Sequence, residues 1–413
     1  MTLCIGKPEI RKAGEKTRLC SRISWDDGFY DMWFEVEDCF GEYLCVERAD
    51  AFVLAVLPYA MKQALDVRVD SPLSEQLYYQ LTTIYIPALA RNAKTYYDIR
   101  LCCDSLDDEA YPSAGAVGTG FSGGVDSFYT VFKHLQTEAK RHSLTHLTFF
   151  NVGASGDEGG KQARKLFLDR QIAARSFADA NGFEFLTVDS NISEFIRYEH
   201  LHTHTMRSLS AVLALQKLFS VYYYSSGRTL SEFNLKKGDE GPGHFDLMSA
   251  HCFTNENTKF YITGPNETRV EKCAAIADYT PSYRYLNVCI AEGSNCGRCE
   301  KCIRTMLGLY ACGKLELYNE VFDVGGFMAR LNKNLVMLVE NRGNNYYKEI
   351  LVAFKENGVR IPAHLRLLGN VSRIRLVFPA IRRWLTRIPI LMRFYRKFRP
   401  SQKNYSLPPL NRR

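Results

Sequence analysis

One short stretch limits what this 413-residue chain can fold into: residues 118–127, which read GTGFSGGVDS and lead into an apolar segment. An apolar approach, adjacent glycines and a following helical pattern predict a strand, a tight turn and a helix. The glycines let the backbone approach a ligand without a Cβ in the way. The hydroxyls of Ser122 and Ser127, with the free N–H groups of a first helical turn, favour an anion such as a phosphate. Asp126 fits such a site if it holds Mg²⁺, whose charge reverses the local sign.

Two adjacent glycines alone would indicate an ordinary turn after a strand, but the serines and the acid at this spacing favour a phosphate site. The glycine spacing is too short for a Walker loop, and no lysine follows it. The segment SGGVDS is similar to the loop of the PP-loop ATP pyrophosphatases, which cleave ATP between the α and β phosphates and transfer AMP to a substrate. This resemblance implies that the ATP phosphates bind Ser122, Gly123, Gly124, Val125, Asp126 and Ser127.

From residue 114 onward, strand and helix patterns alternate. Strands are predicted at residues 116–121, 144–152, 183–188, 221–224 and 259–263, and helices at 127–137, 160–181 and 206–219. This alternation predicts an α/β fold, a parallel sheet with helices on both faces. Ligands of such sheets bind outside the carboxyl ends of the strands. The resemblance further implies an adenine nucleotide alpha-hydrolase-like fold.

The carboxyl ends of the later strands supply further candidate residues. Asn151, Val152 and Gly153 close the second strand, where PP-loop enzymes contact the adenine through backbone groups. Arg207 begins a helix and is a candidate to hold a phosphate. The preceding histidines, at positions 200, 202 and 204, are interpreted as surface residues rather than metal ligands.

Arg269 and Lys272 follow the fifth strand and lie three apart, on one face of a predicted helix. Two cations at a helix start oppose the helix dipole, so a nearby anion would explain them. In the catalytic hypothesis, Mg²⁺ at Asp126 holds the triphosphate. Lys272, Arg269 or Arg207 then offsets charge as pyrophosphate leaves.

The thirteen cysteines are mostly scattered, but four form a compact motif. Cys289, Cys296, Cys299 and Cys302 follow the spacing C-x6-C-x2-C-x2-C, which lets four thiolates converge on one tetrahedral Zn²⁺. An iron–sulfur cluster uses the same ligands, and spacing does not distinguish the two. A PP-loop core followed by this quartet resembles the 7-cyano-7-deazaguanine synthases. Those enzymes adenylate a 7-deazapurine acid and convert it with ammonia into a nitrile, and the resemblance implies zinc at the four cysteines.

Three domains are predicted: an N-terminal α+β domain (1–113), a PP-loop ATP pyrophosphatase domain with the cysteine site (114–312), and a helical C-terminal region with a basic tail (313–413). In the first, strands are predicted at 32–36 and 43–46 and helices at 49–64 and 74–92. The net charge of +8 belongs to the tail, because residues 357–413 contain 14 Lys and Arg and no Asp or Glu. The tail is either an amphipathic anchor for an anionic membrane surface or nucleic acid, or a helical cap.

These features predict an ATP-dependent ligase or synthase that activates a small-molecule or macromolecular carboxylate for attack by ammonia or an amine. One alternative is a PP-loop sulfur transferase acting on a nucleobase, which would need a reactive cysteine of low pKa. Another is a zinc-stabilised protein that binds nucleic acid or a membrane and senses ATP. Neither a signal peptide nor a long apolar run is evident, so a cytoplasmic location is expected. The sequence also leaves open whether the chain forms a homodimer.

Overall fold

A computed structural model describes residues 2–135, 137–235, 241–289 and 294–377 of the chain. These residues divide between Val288 and Cys289 into two compact units, here called unit 1 and unit 2. Residues 378–413, which hold most of the predicted basic tail, lie outside the described residues.

The strands of unit 1 belong to a single 11-stranded sheet. They are β1 (Thr2–Ile5), β2 (Glu9–Ala13), β3 (Lys16–Trp25), β4 (Gly28–Glu37), β5 (Asp66–Ser74), β6 (Leu101–Asp107), β7 (Ala116–Gly120), β8 (His146–Asn151), β9 (Glu184–Ser190), β10 (Phe219–Ser225) and β11 (Lys259–Thr263).

The α-helices of unit 1 lie between these strands or, for the last two, after them. They are α1 (Asp50–Gln63), α2 (Glu75–Gln80), α3 (Ile86–Asn92), α4 (Val125–His134), α5 (Gly160–Asn181), α6 (Ile192–Ile196), α7 (His204–Ala214), α8 (Asp246–Phe253), α9 (Arg269–Ile276) and α10 (Ser282–Tyr285). A π-helical turn, Leu81–Tyr85, joins α2 to α3.

The sheet has the order β11-β10-β7-β8-β9-β4-β3-β1-β5-β6, with β2 paired to β3. The five strands from β11 to β9 are parallel, and so are β1, β5 and β6, whereas β4 and β3 run antiparallel to their neighbours. The predicted α/β class is therefore confirmed, whereas the sheet, which was predicted to be parallel, is mostly parallel but mixed. If the strands β7 to β11 are numbered 1 to 5, their spatial order from β9 to β11 is 3-2-1-4-5. The chain first adds strands on one side of β7 and then on the other, so the strand order switches between β7 and β10 although all five strands are parallel.

The N-terminal strands join this sheet through β4 and β9, where Phe34 faces Ser190 and Glu35 faces Asp189. One apolar core also crosses the junction, because buried residues such as Phe34 and Phe52 cluster with Val188 and Leu209. The predicted domain 1–113 thus shares a sheet and a core with the part of the predicted domain 114–312 that lies in unit 1. The predicted domain boundaries at 113 and 312 remain predictions.

Most predicted elements of unit 1 are present, often to within a few residues. The prediction for α5 matches its bounds, and Gly182 ends the helix in a left-handed conformation (φ 74°). The predicted strand at 43–46 is wrong. A 3₁₀ helix (Asp38–Tyr43) occupies its start, and the N–H of Cys45 donates to the carbonyl of Ala214 at the end of α7 instead of to a strand.

Unit 2 is helical over its described residues, as predicted. It contains α11 (Glu300–Ala311), α12 (Val324–Ala329), α13 (Leu331–Glu340), α14 (Asn345–Glu356) and α15 (Ala363–Val377). Buried side chains such as Leu309, Leu338, Phe354 and Leu365 form its apolar interior. Within the described ranges, no helix combines the length and the apolar character needed to span a membrane.

Candidate functional site

The serine-glycine turn lies at the carboxyl end of β7, directly before α4. Gly123 has a positive φ of 74°, a conformation that side-chain-bearing residues rarely adopt. Its carbonyl accepts a hydrogen bond from the N–H of Asn287 (2.7 Å), which anchors the turn. The predicted strand, turn and helix start are therefore present, beside the point where the strand order reverses between β7 and β10.

The start of α4 has no side-chain cap. Its N-cap residue is Gly124, and the exposed Ser122 places its Oγ 3.4 Å from the Gly124 nitrogen. Ser127 points back, because its hydroxyl donates to the carbonyl of Gly124 (2.9 Å). An uncapped first turn leaves N–H groups that favour negative charge.

Asp126, in this first turn, forms ion pairs with both predicted cations. Arg269 Nη1 contacts Asp126 Oδ2, and Lys272 Nζ lies 3.5 Å from Asp126 Oδ1. Burial would raise the pKa of the Asp126 carboxyl, but the charges of Arg269 and Lys272 outweigh burial and hold the pKa below its ordinary value. Two cations face one carboxylate, so this group of three side chains carries a net positive charge.

Helix α9 positions the two cations through its first turn. Thr268 caps the helix by accepting from the N–H of Glu271 (3.2 Å), and the Glu271 carboxylate accepts from the Thr268 N–H (2.7 Å), forming a capping box.

Lys272 reaches the turn through a buried path. Its side chain is 2 % exposed, and its ammonium donates to the carbonyl of Ser226 (2.7 Å), just after β10. Gly264 has a φ of 73°, and a Cβ there would lie 2.7 Å from the Lys272 Cε. The absence of a side chain at Gly264 therefore leaves room for the lysine stem.

Arg207 occupies a different place, against the carboxyl end of β8. It is fully buried, and its guanidinium donates to the carbonyls of Tyr198 (2.7 Å) and Val152 (3.4 Å) and to the hydroxyl of Ser193 (3.3 Å). Burial lowers its pKa to about 10. Within the described ranges, no hydrogen bond or ion pair joins Arg207 to the serine-glycine turn.

The other predicted residues at the end of β8 lie beside this arginine. Asn151 donates from its amide to the Asp189 carboxylate (2.7 Å), which also pairs with Arg164. Gly153 has a φ of 127°, and a Cβ there would lie 2.6 Å from both Arg207 Nη1 and His200 Nδ1. The structure thus brings Arg207 together with Val152 and Gly153, and brings Arg269 and Lys272 together with the turn.

A buried polar group near the end of β10 was not predicted. Asp246 is 3 % exposed and accepts a hydrogen bond from the Thr205 hydroxyl (2.6 Å), while His204 Nδ1 lies 2.5 Å from the Tyr224 hydroxyl. Burial raises the pKa of Asp246 to about 7 and lowers that of His204 to about 4. Nothing local in the sequence indicates this group, because its members come from α7, α8 and β10.

The four predicted cysteines converge in unit 2. The Sγ atoms of Cys289, Cys296, Cys299 and Cys302 all lie within 4.8 Å of one another. The N–H of Cys299 donates to Cys296 Sγ (3.3 Å), and the N–H of Cys302 donates to Cys299 Sγ (3.5 Å), so the sulfurs sit at the start of α11. This cluster can hold a metal ion. Among the described residues, no other group of three or more His, Cys, Asp or Glu side chains is close enough to share one.

Comparison of this chain with protein-family models, with curated proteins and with solved structures found no match.

Proposed function

We propose that unit 1 is an ATP pyrophosphatase of the PP-loop type, with an adenine nucleotide alpha-hydrolase-like fold, that transfers AMP to a carboxylate. One observation carries this proposal: the turn at residues 122–127 ends the central strand β7 beside the strand-order reversal, with two cations facing it. In doubly wound sheets that crevice is where ligands bind. The uncapped helix start and the net positive charge both favour a phosphate chain.

The two cations would change partners when ATP binds. Arg269 and Lys272 neutralise Asp126 in this structure, and a triphosphate at the turn would compete for them. Asp126 could ligate Mg²⁺ only after at least one cation has moved to the phosphates, so Mg²⁺ fits the site with this rearrangement. Bound Mg²⁺ would supply charge neutralisation between the phosphates. Arg269 is the more exposed of the two cations (15 % against 2 % for Lys272), which favours it as the residue that moves.

The adenine would lie at the end of β8, against the backbone of Val152 and Gly153. Arg207 holds this segment through the Val152 carbonyl, so we assign it a positioning role in place of the predicted phosphate contact. A buried guanidinium tied to two backbone carbonyls keeps the loop in one conformation.

Zn²⁺ is the ion that the cysteine cluster would hold. A Zn–S distance of about 2.3 Å in a tetrahedron requires sulfurs roughly 3.8 Å apart, and Cys289 Sγ lies 4.0 Å from Cys299 Sγ. A four-iron cluster binds each thiolate at a different corner and needs a wider set of sulfurs. Four thiolates leave no open coordination position, so the role would be structural.

The sulfur-transferase alternative finds less support. Its reactive cysteine should have a lowered pKa. Burial instead raises the pKa of five cysteine thiols outside the metal cluster: Cys20, Cys45, Cys103, Cys252 and Cys312. The adenylating function therefore remains the proposal, with the deazapurine acids as its first candidate substrates.

The test follows the fate of the α phosphate. The purified full-length chain is incubated with α-labelled ATP, Mg²⁺, ammonium and a panel of carboxylic acids that includes 7-deazapurine acids. The products are then separated by chromatography. Labelled AMP or an acyl-adenylate is expected from the unaltered protein. Lys272→Met should reduce AMP formation by about 10²-fold or more, the usual effect of removing one group that stabilises developing charge.

Lys259→Met is the matched control for this variant. Lys259 also donates to a backbone carbonyl, that of Asn255 (2.8 Å), and no described contact joins it to the turn. Its replacement should leave AMP formation within about twofold, as expected for a site away from the chemistry. Labelled ADP as the product, or equal AMP formation by both variants, would contradict the proposal. ATP binding without turnover across the panel would favour the ATP-sensing alternative.

A further inference from the structure

Helix α5 has one face that no residue within the described ranges covers, with apolar side chains at its centre. Its opposite face packs inward through residues such as Phe167 and Phe177. On the outer face, Leu168 is 51 % exposed and Ile172 is 68 % exposed, and the two lie one turn apart. Single exposed apolar residues are ordinary, but two that are adjacent on one face of a 22-residue helix form a surface that another helix could cover.

Charged residues flank this apolar centre, and three of them make no described ion pair. Lys165, Asp169 and Asp179 are exposed and have no hydrogen bond or ion pair with any residue that the structure describes. Arg175 is partly exposed and pairs with Glu37 (3.0 Å). We propose that this face is a homodimer contact, in which α5 from two copies of the chain packs antiparallel across a twofold axis at Ile172.

The charge pattern favours a second copy of this chain as the partner. In an antiparallel pair, residues equally far before and after the axis face each other. Lys165 and Asp179 lie seven residues on either side of Ile172, so Lys165 would face the partner's Asp179. Asp169 and Arg175 lie three residues on either side, so Asp169 would face the partner's Arg175, whose guanidinium would be shared with Glu37. The symmetry makes each contact twice.

Shape leads to the same register. An open depression of about 640 Å³ lies on α5, lined by Gln171, Ile172, Arg175, Ser176, Asp179 and Ala180. Four of these residues have the i, i+3, i+4, i+7 spacing of a hole that accepts a side chain from a facing helix. Leu168 lies four residues before Ile172 and would face Ser176, inside this depression.

The register is specific. If the axis moved by half a residue, Lys165 would face Ala180 and Asp169 would face Ser176, and both charge pairs would be lost. With the axis at Ile172, the apolar centres of the two helices meet, Leu168 enters the partner's depression, and both charge pairs form. The inference uses only α5 and does not depend on the proposed function.

The first experiment measures the mass of the full-length chain by sedimentation velocity across concentrations up to about 100 µM, where a contact of moderate affinity is populated. A dimer of the 47.2 kDa chain is expected. Ile172→Glu places two carboxylates on the axis and should yield a monomer. Leu367→Glu changes a residue of similar exposure (65 %) in unit 2 and should leave the dimer intact.

A charge exchange tests the register itself. Lys165→Asp alone and Asp179→Lys alone each create two like-charge contacts, and each should raise the dimer Kd by roughly tenfold or more. The double variant restores opposite charges and should return the Kd to within about threefold of the unaltered value. These positions are exposed, so folding is retained, which circular dichroism verifies. A monomeric unaltered protein, a dimer that survives Ile172→Glu, or a double variant no tighter than the single variants would overturn the proposal.

Discussion

Replacing Asp126 with asparagine tests the charge arrangement at the candidate site. The amide keeps the size of the carboxylate but leaves Lys272, which is 2 % exposed, with its carbonyl contact and no opposite charge. Removing one partner of a buried ion pair costs about 3–5 kcal/mol. Because Asp126 is 24 % exposed and the Ser226 carbonyl remains bound, we expect a smaller loss, about 2–3 kcal/mol.

Thermal unfolding followed by circular dichroism measures this loss. A change of 1 kcal/mol shifts Tm by about 2–4 °C in a domain of 150–250 residues, so a loss of about 2–3 kcal/mol should lower the apparent Tm of Asp126→Asn by roughly 4–12 °C. Lys272→Met removes the ammonium that Asp126→Asn leaves without an opposite charge. The double variant Asp126→Asn/Lys272→Met should therefore lose about 1–2 kcal/mol less stability than the sum of the losses of the two single variants. Asp98→Asn, at an exposed carboxylate, is the control and should change little.

The stability lost in Asp126→Asn should depend on pH in a defined direction. The folded-state pKa of Asp126 lies below its ordinary value, so its stabilising contribution is present above that value and is lost as the pH falls through the lowered pKa. The difference between the protein and Asp126→Asn should therefore persist from about pH 5 to 8, shrink as the pH falls below about 4, and disappear once the pH is below the lowered pKa of Asp126. A variant within about 0.5 kcal/mol of the unaltered protein, or strictly additive effects with Lys272→Met, would refute the reasoning.

Three further predictions concern other groups. Burial raises the pKa of Asp246 to about 7, so its contribution to stability is present below about pH 4 and is lost as the pH rises through 7. Across this range the free energy of unfolding should fall by up to about 4 kcal/mol less in Asp246→Asn than in the unaltered protein, measured as a flatter dependence of Tm on pH. Arg207→Lys cannot reproduce the forked contacts to Tyr198 and Val152 and should lower stability by about 2–3 kcal/mol, measured as Tm, whereas an equal Tm would contradict a positioning role. Elemental analysis should find about one zinc per chain, and Cys302→Ser should reduce that content and the Tm together; iron, or unchanged zinc, would contradict the assignment.

Local patterns predicted the elements of unit 1 well, and for physical reasons. The short apolar runs that became β7 to β11 are bounded by turn residues, and α5 ends where Gly182 adopts a left-handed conformation. The cysteine cluster was predictable because short spacings force thiolates together, whatever the surrounding fold. The glycine turn was predictable because its position after a strand and before a helix is a local property.

Local sequence patterns do not predict which distant segments pair with each other, either as strands or through side chains. The pairing of β4 with β9 brings together segments some 150 residues apart. The sequence of neither strand indicates which other strand it pairs with. Arg207 was expected at a phosphate because it is charged and begins a helix. It is instead buried, and carbonyls from two other segments accept hydrogen bonds from its Nη1 and Nη2 atoms. The pairing of Asp126 with Arg269 likewise depends on how α9 packs beside α4.

A crystal structure of the full-length chain with the uncleavable analogue α,β-methylene-ATP and Mg²⁺ tests the central claim most directly. The account predicts triphosphate density within the turn at residues 122–127, Arg269 turned from Asp126 to the phosphates, and the adenine against the backbone of Val152 and Gly153. Analogue bound elsewhere on the chain, or a turn that remains closed over the Asp126 ion pairs at saturating analogue, would contradict it.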